Sequence, residues 1–272
     1  MIFANHAHVF PKEIREDGCA DRLMELLDEC GIDKCIAFAP FQSRLDEEGF
    51  GQNANRWLAE EIKNNSRLMG FGTVDMDASD VRSQVRMIAD LGFKGIKLHP
   101  PYQEFRVDGE KAFEVYDEAQ SLGLFLSFHT GMHWHRLRES TLLMYDEIAW
   151  NFKDLKFSME HVGGFSFFRE ALAVMVNNMR GGLQPRVYAG WTSIAAPDEE
   201  GVYDAWTLTD SDLKTIIYQT GETRSIFGLD FPYKDAKYIK KSIERIRGLD
   251  ISDEAKERIL GRNLAEALGT EF

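Results

Sequence analysis

The stretch Ile2-Phe3-Ala4-Asn5-His6-Ala7-His8 opens the chain with an apolar run that ends on two histidines. Side chains two apart on a β-strand point to the same face, so His6 and His8 can reach one ion together. A lone His-x-His pair is a weak signal, and on its own it more often represents two surface or packing histidines. Its weight comes from three further metal-type side chains at the ends of apolar runs: His129, His161 and Asp230.

These downstream side chains have similar surroundings. His129 closes the run Leu124–Phe128, and His161 precedes the pair Gly163-Gly164. Asp230 is flanked by apolar residues. A carboxylate in such surroundings needs a strong partner, and a bound cation is the simplest one. The structural alternatives are a core histidine bonded to a backbone carbonyl and an aspartate that caps the next helix. Glu160 alternates to the face opposite His161, so we expect it to be structural.

Strand-like and helix-like segments alternate from end to end. The predicted strands are Ile2–His8, Lys34–Ala39, Leu68–Val74, Gly95–Leu98, Leu124–Phe128, Lys156–His161, Arg186–Gly190 and Ser225–Leu229. The predicted helices are Ala20–Cys30, Asn55–Asn64, Ser79–Leu91, Glu110–Leu122, Phe167–Met179, Asp210–Gln219, Lys234–Gly248 and Ser252–Gly269. This alternation without a polar linker predicts an α/β fold in one domain over residues 1–272, a single (β/α)8 TIM barrel.

The competing fold is a doubly wound open sheet. No Gly-x-Gly-x-x-Gly or Gly-x-x-x-x-Gly-Lys-Ser/Thr turn follows any predicted strand, which removes the usual nucleotide-binding signature of that fold. The candidate ligands come from the first, fifth, sixth and eighth strands. A barrel brings all four strand ends to one mouth, whereas an open sheet spreads them, so the sequence favours the barrel and a metal-dependent enzyme.

Composition excludes several classes of partner. The formal net charge of −13 argues against nucleic acid and against an anionic membrane surface. No apolar run is long enough for a membrane span, and the first residues lack the pattern of a signal peptide. Three cysteines without Cys-x-x-Cys spacing indicate reduced thiols rather than a disulfide framework. We therefore expect a cytoplasmic protein whose partner is a small-molecule substrate.

The ordered set of motifs resembles the amidohydrolase superfamily, and within it the compact amidohydrolase-related branch that includes aminocarboxymuconate-semialdehyde decarboxylase. The resemblance spans nearly the whole chain. The matching segments are His6-Ala7-His8, Gly95-Ile96-Lys97-Leu98-His99-Pro100, His129-Thr130-Gly131, His161-Val162-Gly163-Gly164 and Gly228-Leu229-Asp230-Phe231-Pro232.

The resemblance implies one divalent metal, usually zinc, bound by a four-residue set: His6, His8, His129 and Asp230. It implies that His161 lies just off the metal, where it polarises a substrate group or assists proton transfer. Two departures concern hydrogen bonding around the ligands. Ala4 occupies a place where the family often has Asp, and Leu229 replaces a frequent Ser.

Lys97 and His99 share a face of the fourth strand, where either residue can meet an anionic substrate. In other branches of the superfamily, a carboxylated lysine on this strand bridges two metals, and the histidine at the position of His161 then binds the second ion. A binuclear site at Lys97 and His161 is therefore an alternative to the mononuclear one.

Loops after the strands supply specificity in such barrels. The long or chemically rich ones are Phe41–Asn53, Pro101–Asp108, Gly131–Ser140 and Trp191–Thr209. Within the third, His133, Trp134 and His135 either line the pocket or form a subunit contact, which leaves a homo-oligomer open. The fourth is the longest connection and is a candidate lid.

Two enzymatic functions fit these residues. The leading one is metal-assisted hydrolysis of a small ester, lactone or amide, in which Asp230 takes the proton of a metal-activated water and the metal and His161 polarise the carbonyl. The alternative is non-oxidative decarboxylation or hydration of an unsaturated or aromatic acid. A barrel that only binds a ligand predicts missing metal ligands, and none of the expected set is missing.

Overall fold

A computed structural model describes residues 1–179, 185–196 and 205–271 and contains a closed barrel of eight parallel strands. The strands are β1 Phe3–His8, β2 Lys34–Phe38, β3 Leu68–Thr73, β4 Gly95–Leu98, β5 Phe125–His129, β6 Phe157–Glu160, β7 Val187–Thr192 and β8 Ser225–Phe231. Each strand pairs with the next, and β8 pairs with β1 to close the sheet. The predicted single (β/α)8 barrel is confirmed, and the open sheet is excluded.

Helices surround the barrel between successive strands. They are α1 Ala20–Cys30, α2 Gln42–Glu47, α3 Ala54–Ile62, α4 Val81–Asp90, α5 Glu110–Ser121, α6 Tyr145–Asn151, α7 Gly164–Asn177, α8 Asp210–Thr220, α9 Ala236–Gly248, α10 Asp253–Glu257 and α11 Asn263–Leu268. A π-helical segment, Arg258–Arg262, joins α10 to α11. The short helices α2 and α6 were not among the predicted elements, because six or seven residues give too few turns for a periodic pattern.

Helix ends follow capping chemistry. The Asp80 side chain accepts a hydrogen bond from the backbone N–H of Ser83 at the start of α4. Thr209 and Asp212 form a reciprocal capping box at the start of α8. The predicted starts at Ser79 and Asp210 each lie one residue from the observed cap. Gly31 ends α1 with φ 64°, a conformation that glycine adopts without a Cβ penalty.

Apolar side chains fill the barrel interior toward the N-terminal ends of the strands, and polar groups occupy the interior at the C-terminal ends. This interior cluster comprises Phe3, Ile36, Phe38, Phe71, Phe125, Tyr188 and Ile226, together with Leu264, Ala265 and Ala267 of α11. The last helix therefore packs against the N-terminal ends of the strands. Barrel enzymes carry their chemistry at the opposite, C-terminal ends.

Two further findings bear on the sequence-based expectations. Within the described residues, no helix combines the length and apolar character needed to cross a bilayer. Residues 197–204 of the predicted lid Trp191–Thr209 lie outside the described residues, so the lid stays a prediction.

Candidate metal centre

His6 and His8 meet at the C-terminal end of β1 because the strand is irregular there. Its pairing with β2 shifts register between Ala4 and Ala7, and its pairing with β8 shifts between Asn5 and Ala7. The irregularity coincides with φ 68° at His6, a left-handed value that is uncommon for a residue other than glycine. The two imidazoles approach until their Nε2 atoms are 3.1 Å apart.

Asp230 reaches the same point from β8. Its Oδ1 lies 3.5 Å from Nε2 of His6, and its side chain is 16% exposed, so it borders the cavity. Its Oδ2 accepts a hydrogen bond of 2.7 Å from the Ser193 hydroxyl, which follows β7. Leu229 removes the usual hydroxyl neighbour of this aspartate, and Ser193 supplies one from the adjacent strand. Ser193 was not among the predicted site residues, although its place just after a strand is a weak signal for a site residue.

His161 faces His6 and Asp230 as a hydrogen-bond acceptor. Its Nδ1 is 2.9 Å from the carbonyl oxygen of Thr192, which can only accept, so the proton of the neutral ring lies on Nδ1. Its Nε2 therefore carries a lone pair. Side-chain ligand atoms of His6, His161 and Asp230 all lie within 4.8 Å of one another, close enough to surround one metal ion. His8 and His129, the other two ligands that the resemblance implies, are not part of this compact group.

His129 and His99 stack in parallel at the ends of β5 and β4. Their ring centroids are 3.8 Å apart with an interplanar angle of 6°. A metal ion lies in the plane of an imidazole that binds it, so two parallel rings in face-to-face contact do not share one ion. Nε2 of His129 is buried and has no hydrogen-bond partner within the part of the chain that the structure describes. An orphaned imidazole nitrogen of this kind suits a metal ligand.

His99 has the tautomer opposite to that of His161. Its Nδ1 lies 3.2 Å from the backbone N–H of Tyr102, which can only donate, so the proton of neutral His99 is on Nε2. The ring lines the central cavity. His99 can therefore donate a hydrogen bond to a substrate, whereas His161 can accept one.

The site histidines are held neutral. Burial, followed by the neighbouring Lys97 charge, lowers the pKa of His8 to about 3 and the pKa of His6 well below its usual range. Burial also lowers the pKa of His161 to about 4, against the opposing effect of Asp230. Burial and the adjacent His99 depress the pKa of His129. Neutral imidazoles keep the lone pairs that metal binding requires.

Lys97 is fully buried on β4, with its Nζ 3.4 Å from Nε2 of His6 and 5.2 Å from the centre of the Phe38 ring. Burial lowers the pKa of Lys97 to about 8, although Glu160 and Asp230 attract its positive charge. Lys97 does not line the open cavity, and its Nζ lies beside Nε2 of His6. This position suits an electrostatic role or the alternative binuclear site better than direct contact with a large substrate.

The expectation that Glu160 points to the face opposite His161 is wrong. Left-handed φ values of 64° at His161 and 47° at Val162 interrupt the strand's alternation, so Glu160 and His161 both turn into the barrel. Oε2 of Glu160 lies 3.2 Å from Nδ1 of His6. Burial raises the pKa of Glu160, and Lys97 and three hydroxyl donors counteract that rise. A charged residue within the buried run Phe157–Glu160 was the signal in the sequence.

A cavity of about 890 Å³ opens above these groups. Its walls are mainly aromatic: Phe10, Phe41, Tyr102, Trp134, Trp206 and Tyr233. The Trp206 ring centroid is 4.7 Å from that of His161, a contact that no pattern in the sequence indicates. Of the loop residues proposed for the pocket, His133 and Trp134 line it, and His135 contacts His133 behind it. Arg15 and Arg44 also line the cavity, paired with Asp17 and Glu47.

The family profile for amidohydrolases matches residues 6–270, which is nearly the whole chain. The chain belongs to the amidohydrolase family. The resemblance seen in the motifs is therefore confirmed, and with it membership of an enzyme family. No curated protein matches this amidohydrolase sequence.

Solved structures share the fold at low sequence identity. Two are decarboxylases. The 5-carboxyvanillate decarboxylase from Sphingomonas paucimobilis is 16% identical, with 99% of each chain covered and a TM-score of 0.73. A dihydroxybenzoic acid decarboxylase from Polaromonas sp. JS666, with bound manganese and 2-nitroresorcinol, is also 16% identical (98% of this chain and 96% of that chain covered, TM-score 0.71).

A third is a candidate 2-pyrone-4,6-dicarboxylic acid hydrolase from Pseudomonas putida. It is 15% identical, with 100% of this chain and 98% of that chain covered and a TM-score of 0.71. At these identities the similarity establishes the fold, and the reaction has to be argued from the site of this amidohydrolase.

Proposed function

We propose that this amidohydrolase is a metal-dependent hydrolase of a planar, conjugated ester or lactone. The proposal rests on one observation: the cavity floor contains several hydrogen-bond acceptors and one hydrogen-bond donor. His6, His161 and Asp230 present lone pairs to one point, and His99 presents an N–H beside them. Hydrolysis needs this combination, because a base must take a proton from water while a donor stabilises the carbonyl oxygen.

The proposed metal ligands are those of the motif set: His6, His8, His129 and Asp230. Two neighbouring ligands that share one zinc ion, each ~2.0–2.1 Å from it, would lie roughly 3 Å apart. The separations from Nε2 of His6 to His8 and to Asp230, 3.1 and 3.5 Å, fit this value. Nitrogen and carboxylate donors suit zinc, and manganese is the alternative, since one structurally similar decarboxylase contains it.

When bound, a divalent ion supplies Lewis acidity, which polarises a substrate oxygen and makes a water easier to deprotonate. Asp230 then takes a proton from the attacking water, whose oxygen forms the new bond to the carbonyl carbon. The same carboxylic acid returns that proton to the leaving oxygen as the ester bond breaks. Ser193 holds the other oxygen of Asp230 and so fixes its orientation.

His161 and His99 have different parts in this scheme. Nδ1 of His161 donates to Thr192, so its Nε2 cannot polarise a carbonyl by donating a hydrogen bond. Of the two roles implied by the resemblance, this geometry favours assistance in proton transfer. His99 is instead the proposed donor to the carbonyl oxygen, because the Tyr102 N–H keeps its proton on Nε2.

Non-oxidative decarboxylation of an aromatic acid is the second candidate. The aromatic walls formed by Tyr102, Trp206 and Tyr233 favour it, as they fit a flat ring. Decarboxylases are also among the structurally similar proteins. Decarboxylation ends with a proton delivered to carbon, whereas His6 and His161 are held neutral and present lone pairs. We rank hydrolysis first for this reason.

The test is a panel of conjugated lactones, aryl esters and hydroxylated benzoates, assayed with zinc or manganese by acid release and by CO2 release. We expect acid release from a lactone or ester. His99→Leu should lower kcat about 10²–10³-fold, as loss of an oxyanion donor does, and His99→Gln, which keeps a donor, should lose less. His135→Ala is the matched control. Release of CO2 alone would establish the second candidate, and no turnover by metal-loaded protein would contradict both.

A further inference from the structure

We propose that Glu160 is a positioning residue that fixes the tautomer of His6, so that Nε2 of His6 presents its lone pair to the metal. This inference rests on the proposed metal centre and adds a residue that the motif comparison left aside. Glu160 has no exposed surface. It contacts Nδ1 of His6, on the side of the imidazole that faces away from the cavity.

Five donors from four strands converge on the Glu160 carboxylate. Oε1 accepts from Asn5 Nδ2 at 2.7 Å, from Ser127 Oγ at 3.2 Å and from Ser158 Oγ. Oε2 accepts from Thr192 Oγ1 at 2.6 Å and from His6 Nδ1 at 3.2 Å. A buried carboxylate needs hydrogen-bond donors, and here they come from β1, β5, β6 and β7. This network holds the carboxylate in one orientation.

The backbone of the neighbouring strands leaves room for this network. A Cβ at Gly190 on β7 would overlap Oε2 of Glu160. A Cβ at Gly228 on β8 would overlap the Thr192 hydroxyl that donates to the same oxygen. Glycine is thus required at two positions that touch the carboxylate and its donor, so the space for Glu160 is built into the sheet.

The tautomer follows from the direction of these hydrogen bonds. A carboxylate oxygen beside Nδ1 of His6 keeps the proton on Nδ1. Nε2 is then unprotonated and carries a lone pair. In Glu160→Gln, the amide oxygen fits the Oε1 position, where Nδ2 of Asn5 donates, and the amide NH2 then takes the Oε2 position. That NH2 group would face Nδ1 of His6, which must then accept. The proton moves to Nε2, and the metal loses a ligand.

The experiment compares zinc affinity in wild type, Glu160→Gln and Glu160→Asp by competition with a chromogenic chelator. Loss of a hydrogen-bonding partner behind a metal-binding histidine typically weakens binding ~10–100-fold, so we expect this loss in Glu160→Gln. Glu160→Asp keeps an acceptor and should recover part of the affinity. Glu118→Gln, which removes a buried carboxylate paired with Arg86 in the helical layer, is the matched control.

Histidine 15N spectra give a second readout that a purely structural role would not move. The signals of His6, assigned by their loss in His6→Ala, should show a protonated Nδ1 in wild type and a protonated Nε2 in Glu160→Gln. If Glu160→Gln folds and keeps the wild-type zinc affinity and tautomer, the inference is overturned. If Glu160→Gln does not fold, a wild-type affinity in Glu160→Asp together with an unprotonated Nδ1 in wild type overturns it.

The failure of this inference differs from a failure of the metal centre. His6→Ala should abolish tight zinc binding whatever the role of Glu160. If His6→Ala retains full zinc affinity, the proposed function fails at its ligands. If His6→Ala loses zinc and Glu160→Gln does not, only the positioning role is wrong.

Discussion

At the scale of single residues, the backbone is left-handed at four polar residues of the cavity floor. These are His6, His161, Ser193 and Asp230, with φ between 58° and 68°. Such conformations cost about 1–3 kcal/mol each and persist where surrounding contacts hold them. Here each one aims a polar side chain at the cavity instead of letting it alternate to the outer face. The site is therefore organised by the backbone before any ligand arrives.

Asp230→Asn is the sharpest conservative test of the proposed chemistry. The amide retains an oxygen toward the metal but cannot take a proton from water, so turnover should fall about 10²–10⁴-fold. The measurement is kcat together with metal content for both proteins. Ser193→Ala is the companion variant, since it removes only the hydrogen bond to Oδ2 and should have a smaller effect. Wild-type turnover by a metal-loaded Asp230→Asn protein would assign the proton transfer to another residue.

At the scale of elements, one buried side chain joins a helix to the barrel near the site. Asn55 of α3 donates to the carbonyl of Thr73 at 2.9 Å and accepts from its backbone N–H at 2.8 Å. Thr73 ends β3 and lies beside Lys97 in the sheet. The amide of Asn55 therefore satisfies both backbone hydrogen-bonding groups of Thr73 at the end of β3.

Asn55→Ala should lower the free energy of unfolding by about 2–4 kcal/mol, because it leaves two buried backbone groups without partners at ~1–3 kcal/mol each. Urea denaturation followed by circular dichroism measures this change. Asn64→Ala, on an exposed position just beyond the same helix, should change stability by less than about 0.5 kcal/mol. Equal stability of the two variants would show that Asn55 is not needed to hold α3 against β3.

Much of this architecture could be predicted from the sequence, since buried parallel strands are apolar runs and capping residues mark helix ends. The predicted β4 coincides with the observed strand, and the predicted β1 differs from it by one residue. What failed was the rule of alternation at strand ends. A left-handed residue flips the following side chain to the other face of the strand. A glycine in the sequence would have indicated this conformation, whereas His6 and His161 do not. The inward position of Glu160 was therefore missed.

At the scale of the whole molecule, the candidate ligands are spread over the barrel, and an ion bound by them would tie its strands together. A ligand that binds only the folded state stabilises it by about 2.7 kcal/mol at 100 times its dissociation constant. For a chain of roughly this size, each kcal/mol shifts Tm by about 2–4 °C. Metal binding should therefore be visible in thermal unfolding.

We expect chelator-treated protein to melt about 5–10 °C below zinc-loaded protein, from that free energy and that dependence. The measurement is Tm by scanning calorimetry at several free zinc concentrations, with metal analysis in parallel. His6→Ala should abolish the dependence on zinc. One equivalent of metal is expected; two would support the binuclear alternative at Lys97 and His161. A Tm independent of zinc in wild type would contradict a site made of strand ends.

The pairing of β1 with β8 also has a consequence for how the site comes into being. His6 lies on the first strand of the barrel and is synthesised before Asp230, which lies on the last, so their side chains meet only when the two strands join. A nascent chain that has not yet released β8 holds several of the histidines but not the carboxylate. Full metal affinity would thus arise with the closing of the ring, and retention of the ion would distinguish finished molecules from truncated ones.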